Sequence, residues 1–307
     1  MISTIAIVAP SSQVPAGLID QSVAYFEKMG FRVKLGKHLD KSELFSAGSD
    51  EQRAEDLIDA FQDPEVEVIL TARSGCSSIR TLRLLDYDII RQQRLEGEQG
   101  TVEEMGQNPK PIVGFSDTTA LQLGIYAVTG MQCITGFNCR DIKDGMVAEN
   151  TWSSLLKCLN RENYSIDAGE SVFPGKTTGP LVGGNLTCML NLMGSQYQPD
   201  FSWKILLIED VGVEPYLIED MFSQLYVAGI LDQVAGIIIG RFTECTAKRF
   251  ESKSTTEEVI KYFCNRIKVP CIADFPYGHI DGRCALPLGQ VVTLDASSCR
   301  LEVNFAS

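Results

Sequence analysis

Short apolar runs alternate with amphipathic stretches through the first half of this chain, and that alternation constrains its fold more than any other feature. "TIAIVAP" (4–10) is a compact apolar run closed by Pro10-Ser11-Ser12, and "LIDQSVAYFEKMG" (18–30) has apolar residues at helical spacing with Gly30 as its stop. "FRVKLG" (31–36) alternates, and "DEQRAEDLIDAFQ" (50–62) is helical again. "VEVILTA" (66–72) reads as a buried strand, followed by a Gly- and Ser-containing loop and a predicted helix, "SIRTLRLLD". "KPIVGFSDTTALQLGIYAV" (110–128) then reads as strand, abrupt turn, helix. Strand–helix alternation of this kind predicts βα units and a parallel sheet. Functional residues of such sheets gather at the carboxyl ends of the strands. Arg73-Ser74-Gly75 and Ser116 both fall there.

The second half is less regular. "GPLVGGNLTCMLNLMG" (179–194) reads as a Gly-rich turn opening a helix, "WKILLIED" (203–210) as a buried strand ending in acids, and "LIEDMFSQLYVAGIL" (217–231) as a helix. "VAGIIIGRF" (234–242) is another buried strand and "STTEEVIKYFCNRI" (254–267) a helix. "VPCIADFPYGHIDG" (269–282) is a strand running into a loop, and "QVVTLDASSCRLEV" (290–303) a hairpin. The weakly periodic stretch 161–178 places a domain boundary, with an N-terminal domain over 1–165, a linker over 166–175 and a C-terminal domain over 176–307. The polar segment 92–108, with three glycines, is expected to be a surface loop or flap.

The net charge of −13 argues against nucleic acid, which needs a basic surface, and against docking on anionic lipid. No run of about 18 apolar residues is present to span a bilayer, and the N-terminus lacks the basic region of a signal peptide. Ten cysteines stand singly, without C-x-x-C pairs or metal-site spacing. Free thiols in a reducing cytoplasm are expected, and neither metal nor cofactor.

Ser116 has two readings. At a strand-to-helix turn a Ser can be an N-cap, its oxygen accepting a backbone N–H. It can also be a nucleophile lifted out on a tight turn, with the following N–H groups aimed at a developing oxyanion. Gly114 two residues before suits the second reading, whereas Thr118 stands where a second Gly is usual. Cys76, after a Gly at a strand end, is a rival nucleophile.

Only two histidines exist, His38 and His279. His279, in the loop "FPYGHIDG", is the candidate general base, since imidazole titrates near neutral pH. His38 lies in a charged, surface-like stretch. Glu209 and Asp210 end a buried strand, where a carboxylate can orient a histidine, and Glu214 and Glu219 are rivals by position. "GGN" (183–185) lacks the frame of a phosphate-binding loop.

These stretches together resemble the LD-carboxypeptidase family of serine peptidases, which also contains the microcin C immunity peptidases. The similarity runs in order through "TIAIVAPSS", "LTARSGCSSIRTLRLLDYDII", "KPIVGFSDTTAL", "GPLVGGNLTCMLNLMGS", "ILLIEDVGVEPYLIEDMFSQL", "VAGIIIGRF" and "VPCIADFPYGHIDGRCALPLGQVVTLD". The resemblance implies a flavodoxin-like or Rossmann-like N-terminal parallel-sheet domain, a C-terminal mixed α/β domain, and an active site in the cleft between them. It implies a triad of Ser116 as nucleophile, Glu209 as acid and His279 as base. The oxyanion hole would be the backbone N–H groups of Asp117 and Gly75. A homodimer is also implied.

Two departures from the family pattern bear on substrate. Members usually carry a Gly-Gly-Tyr-Gly type loop after the Arg, where this chain has Arg73-Ser74-Gly75-Cys76-Ser77. The 92–108 segment is also longer than the usual connection. The family substrate would be a murein tetrapeptide, cut between an L-centre (diaminopimelate or lysine) and terminal D-Ala in peptidoglycan recycling. Arg73, Arg80 and Arg241 are candidate forks for its terminal carboxylate, with Cys76 lining the pocket. The alternatives are a microcin-immunity-like amidase acting on peptidyl or aminoacyl nucleotides, with Trp152 as a base platform, and a non-catalytic ligand-binding protein.

Overall fold

The computed structural model describes residues 2–92, 110–248 and 254–305. Apart from Gln92, the expected flap lies outside the described residues. The chain forms two compact units. The first is Met1–Asn160 with Asn191–Pro199 and Ala285–Gly289, and the second Arg161–Leu190 with Asp200–Cys284 and Gln290–Ser307.

In the first unit the chain runs β1 (Thr4–Val8), α1 (Leu18–Lys28), β2 (Arg32–Leu35), α2 (Asp50–Gln62) and β3 (Val68–Thr71). A 3₁₀ helix Ser78–Arg83, α3 (Tyr87–Arg91), β4 (Ile112–Gly114), α4 (Thr118–Thr129), β5 (Cys133–Thr135), a 3₁₀ helix Cys139–Asp141 and α5 (Glu149–Leu159) follow. Strands β1 to β5 are parallel in the order β2-β1-β3-β4-β5, the flavodoxin-like arrangement that the family resemblance implied. β1 and β3 are buried along their whole length, as strands covered on both faces must be. α2 starts at a full capping box, Ser49 with Gln52. "SIRTLRLLD" does not form the expected α-helix. It closes as 3₁₀ over Ser78–Arg83, with Ser77 left-handed before it and the Ser78 N–H bonded outside the segment, to Asp117 Oδ2.

The second unit holds β6 (Tyr164–Asp167), β7 (Glu170–Phe173), β8 (Lys176–Asn185), α6 (Leu186–Leu190), β9 (Ile205–Val211), α7 (Pro215–Val227), β10 (Gly236–Thr243), α8 (Thr256–Ile267) and β11 (Cys271–Ala273). The short strand β12 (Leu286–Leu288) returns to pair antiparallel with β5 in the first sheet, while β13 (Val291–Asp295) and β14 (Arg300–Val303) complete the second. That second sheet has eight strands in the order β6-β14-β13-β8-β9-β10-β11-β7, parallel from β8 to β11 and antiparallel at both flanks. The 166–175 stretch expected as a linker therefore carries strand residues paired to β14 and β11.

"GPLVGGN" is the end of a ten-residue strand, not a Gly-rich turn. Periodicity could not separate the two, because the glycines answer to a neighbouring backbone. A Cβ on Gly183 would stand 1.9 Å from the Leu207 carbonyl oxygen of β9.

Candidate active site

In the first unit, β4 ends at Gly114, and Phe115 and Ser116 turn the chain into α4. Ser116 has φ 63, in the left-handed region, which costs an L-residue about 1–2 kcal/mol. A capping residue is extended. Ser116 is not, and the N-cap position of α4 is Asp117, which makes no side-chain capping bond. The turn is instead tied by Thr118 Oγ1 donating to the Phe115 carbonyl (3.0 Å) and Thr119 N–H donating to the Ser116 carbonyl (2.8 Å). Gly114 is required by the same packing, since a Cβ there would lie 2.4 Å from Thr118 Oγ1. The strained, half-buried serine is thus presented at the tip of a rigid turn.

Asp117, next in the chain, is buried, and its carboxylate pins two other loops. Ser11 Oγ donates to Oδ2 at 2.6 Å and the Ser78 N–H donates to the same oxygen at 3.0 Å, while Ser78 Oγ donates to the Asp117 carbonyl at 2.8 Å. The backbone N–H of Asp117 stands at a helix start, where donors have no intrahelical acceptor. Gly75 follows β3 with φ 141, and a Cβ on it would fall 2.1 Å from Ser12 Oγ, so only glycine fits. Ser12 Oγ also accepts the Cys76 N–H at 3.1 Å. Behind this loop lies the buried Arg53 of α2, donating to the Pro10 and Ser77 carbonyls and paired with Asp50. Burial holds its guanidinium below the ordinary arginine range.

In the second unit, Glu209 is fully buried near the end of β9 and lies 2.7 Å, through Oε2, from His279 Nδ1. An ionised carboxylate only accepts. Nδ1 therefore carries the proton, and the neutral ring keeps its lone pair on Nε2. Asn185 Nδ2 donates to Glu209 Oε1 at 3.1 Å and to Asp210 Oδ1 at 3.0 Å. Asn185 reaches Glu209 because the two are register partners across β8 and β9. Asp210, next along β9, brings its carboxylate to the same amide, and its Oδ2 accepts from Thr187 N–H and Oγ1 at 2.9 and 2.7 Å. Gly278, at φ 134, lets the His279 loop run against Arg241: the Arg241 N–H donates to the Tyr277 carbonyl at 2.7 Å.

The structure brings Glu209 and His279 together in one unit, and Ser116, Asp117, Gly75 and the Arg73–Cys76 loop together in the other. Two expected carboxylate forks are already engaged: Arg80 Nε with Asp50 at 2.9 Å, and Arg241 with Asp274 at 2.5 Å. Cys76 is exposed, 3.5 Å from Ser12 Oγ. Trp152 packs on Tyr25, Phe26, Phe31 and Phe137 in an aromatic cluster. Glu214 starts α7 and accepts the Lys248 N–H, and Glu219 is exposed on that helix. His38 is not a loose surface residue, because its Nδ1 lies 2.9 Å from the buried Asp56. Among the described residues no group of three or more His, Cys, Asp or Glu could hold a metal ion, and no helix is long and apolar enough to cross a membrane.

Sequence reasoning missed Asn185 and the Ser11, Ser78 and Asn138 ties. Asn185 left one signal, a polar residue closing an apolar run. Asn138 left none, since its bond to Ser74 joins loops 64 positions apart.

Family models for the LD-carboxypeptidase N-terminal and C-terminal domains match residues 5–136 and 178–294. The chain is 29% identical over 299 residues to the "probable murein peptide carboxypeptidase" of Bacillus subtilis, covering 96% of this chain and 89% of that one. It is 28% identical over 310 residues to the murein tetrapeptide carboxypeptidase of Pseudomonas aeruginosa, covering 96% and 94%. The structure of MccF, the microcin C7 self-immunity protein of Escherichia coli, in complex with glutamyl sulfamoyl guanosine superposes with a TM-score of 0.84 at 25% identity, over 99% of this chain and 96% of that one.

Proposed function

We propose that this chain, which belongs to the LD-carboxypeptidase family, is a serine carboxypeptidase that removes terminal D-Ala from a murein tetrapeptide with an L-centre before it. The observation that carries the reading is the buried Glu209 holding His279 by Nδ1, with Nε2 left as the base. The left-handed Ser116 at the end of β4 supports it from the nucleophile's side.

In this mechanism His279 Nε2 takes the Ser116 proton as Oγ attacks the scissile carbonyl. The oxyanion is received by the N–H groups of Asp117 and Gly75. The imidazolium, stabilised by Glu209, then protonates the leaving amine, and D-Ala departs. Water, deprotonated by the same imidazole, attacks the acyl-enzyme and frees Ser116. Losing one oxyanion donor would cost about 3 kcal/mol of barrier, roughly a hundredfold in rate.

A second reading, an amidase acting on aminoacyl nucleotides, is favoured by the likeness to MccF in complex with glutamyl sulfamoyl guanosine. Against it, Trp152 is occupied in its aromatic cluster and does not offer a base platform. Parallel incubation with a murein tetrapeptide and an aminoacyl sulfamoyl adenosine, followed by mass spectrometry, separates the readings. Loss of D-Ala supports the first and release of the nucleoside the second. Turnover of neither would point to a binding protein.

A further inference from the structure

A carboxypeptidase must read a terminal carboxylate, and the loops tied to the nucleophile turn carry two guanidinium groups, Arg73 and Arg140, with no acid to hold them. Arg73 donates from Nε to the Ser74 carbonyl (2.9 Å) and from Nη1 to the Gln13 carbonyl (2.8 Å). Both acceptors are neutral, so the bonds fix the side chain without compensating its charge, and they use two of its five N–H donors. Arg140 is exposed. Among the described residues neither arginine has a carboxylate partner, a condition shared with the surface arginines Arg83 and Arg266, whereas Arg53, Arg80, Arg91, Arg241 and Arg300 each have one.

Burial, and after it the charge of Arg140, hold Arg73 below the ordinary arginine range. Placing two cations together is unfavourable until an anion joins them.

Their position is set by a relay of hydrogen bonds. Arg140 lies in the 3₁₀ helix Cys139–Asp141, capped by Asn138. Asn138 Nδ2 donates to Ser74 Oγ at 3.0 Å, and Ser74 Oγ donates to the Phe115 carbonyl, immediately before Ser116. Asn138 is buried, so the link is shielded from water. The Arg140 loop, the Arg73 loop and the nucleophile turn are thereby locked into one assembly. Ser74 takes part in that relay through an oxygen a glycine lacks.

We infer that Arg73 and Arg140 form a two-guanidinium clamp for the free α-carboxylate of the substrate's terminal residue, with Arg140 as a specificity-determining residue. The inference rests on the carboxypeptidase reading for its substrate and on the geometry above for its ligand class. Two guanidinium forks suit a planar carboxylate and discriminate it from a neutral carboxamide.

The test compares kcat/KM for a murein tetrapeptide ending in a free carboxylate and for the same peptide ending in a carboxamide. Wild type should prefer the carboxylate. Arg140→Gln should shrink that preference about 10- to 100-fold, the worth of one charge-assisted contact, and Arg140→Lys should restore part of it. Arg140→Gln with the wild-type preference intact would overturn the clamp while leaving the carboxypeptidase reading standing. A second measurement needs no turnover. N-acetyl-D-alanine titrated into wild type should shift the Nε resonances of Arg73 and Arg140, and N-acetyl-D-alaninamide should not. If wild type fails to cut the tetrapeptide, the reading falls, and this titration still decides the clamp: shifts with the acid alone support it, and shifts with neither or with both refute it.

Discussion

His279 Nδ1 stands 2.7 Å from Glu209 Oε2, and no part of that carboxylate reaches solvent. In the proposed mechanism the pair selects Nε2 as the basic ring nitrogen. Glu209→Gln keeps the shape but offers an amide that can hold the wrong tautomer. We expect kcat for D-Ala release to fall on the order of 10³- to 10⁴-fold with little change in KM and an unchanged far-UV circular dichroism spectrum. A loss under tenfold would remove Glu209 from the mechanism.

Asn185 serves two buried carboxylates with one amide. Asn185→Leu strands Glu209 Oε1 in a place water cannot repair, while Asp210 Oδ1 keeps the Val211 N–H at 2.8 Å. Urea denaturation should show a loss of about 1–3 kcal/mol, the cost of one buried acceptor left without a donor. Asn185→Asp should be worse still, since it sets a third carboxylate beside two others. If Asn185→Leu were as stable as wild type, the network would contribute nothing to holding Glu209.

Ser116 holds a left-handed backbone that a glycine would adopt freely. Ser116→Gly should therefore abolish turnover and stabilise the fold by about 1 kcal/mol. Ser116→Ala should abolish turnover with no such gain, because alanine keeps the strain. Equal denaturation midpoints for the two variants would mean that the turn carries no stored strain.

Burial pushes the Cys133 and Cys139 thiols up to about 12, from an ordinary 9.0. Above pH 9 the unfolded chain loses these protons while the native state keeps them. Stability is thus intact below pH 9 and falls as pH rises toward 12, by about 1.4 kcal/mol per pH unit for each thiol. Cys139→Ala should flatten the alkaline limb of stability against pH by that slope, measured by urea melts between pH 8.5 and 10.5. An unchanged slope would contradict the assignment.

Much of this was legible in the residues. The first sheet could be read because β1, β3 and β4 are short apolar runs separated by helices of ordinary spacing. With two histidines in the chain and one in a charged stretch, His279 was the candidate base, and the structure sets it against Glu209. Other features depend on partners distant in sequence. Gly183 looks like a turn residue until β9 is laid against it. Ser77 and Ser78 look like a helix start until Asp117 claims the Ser78 N–H. Arg140 is an unremarked loop arginine until Asn138 and Ser74 tie its loop to the nucleophile turn. Read alone, Ser116 was first of all a cap, and its backbone angle, with Asp117 at the N-cap position, sets that reading aside.

The central claim is tested most directly by following D-Ala release from a murein tetrapeptide with wild type, Ser116→Ala and Cys76→Ala side by side, at neutral pH and by mass spectrometry. The account predicts release by wild type, none above background by Ser116→Ala, and release by Cys76→Ala. Release that survives Ser116→Ala, or that is lost only with Cys76→Ala, would contradict it.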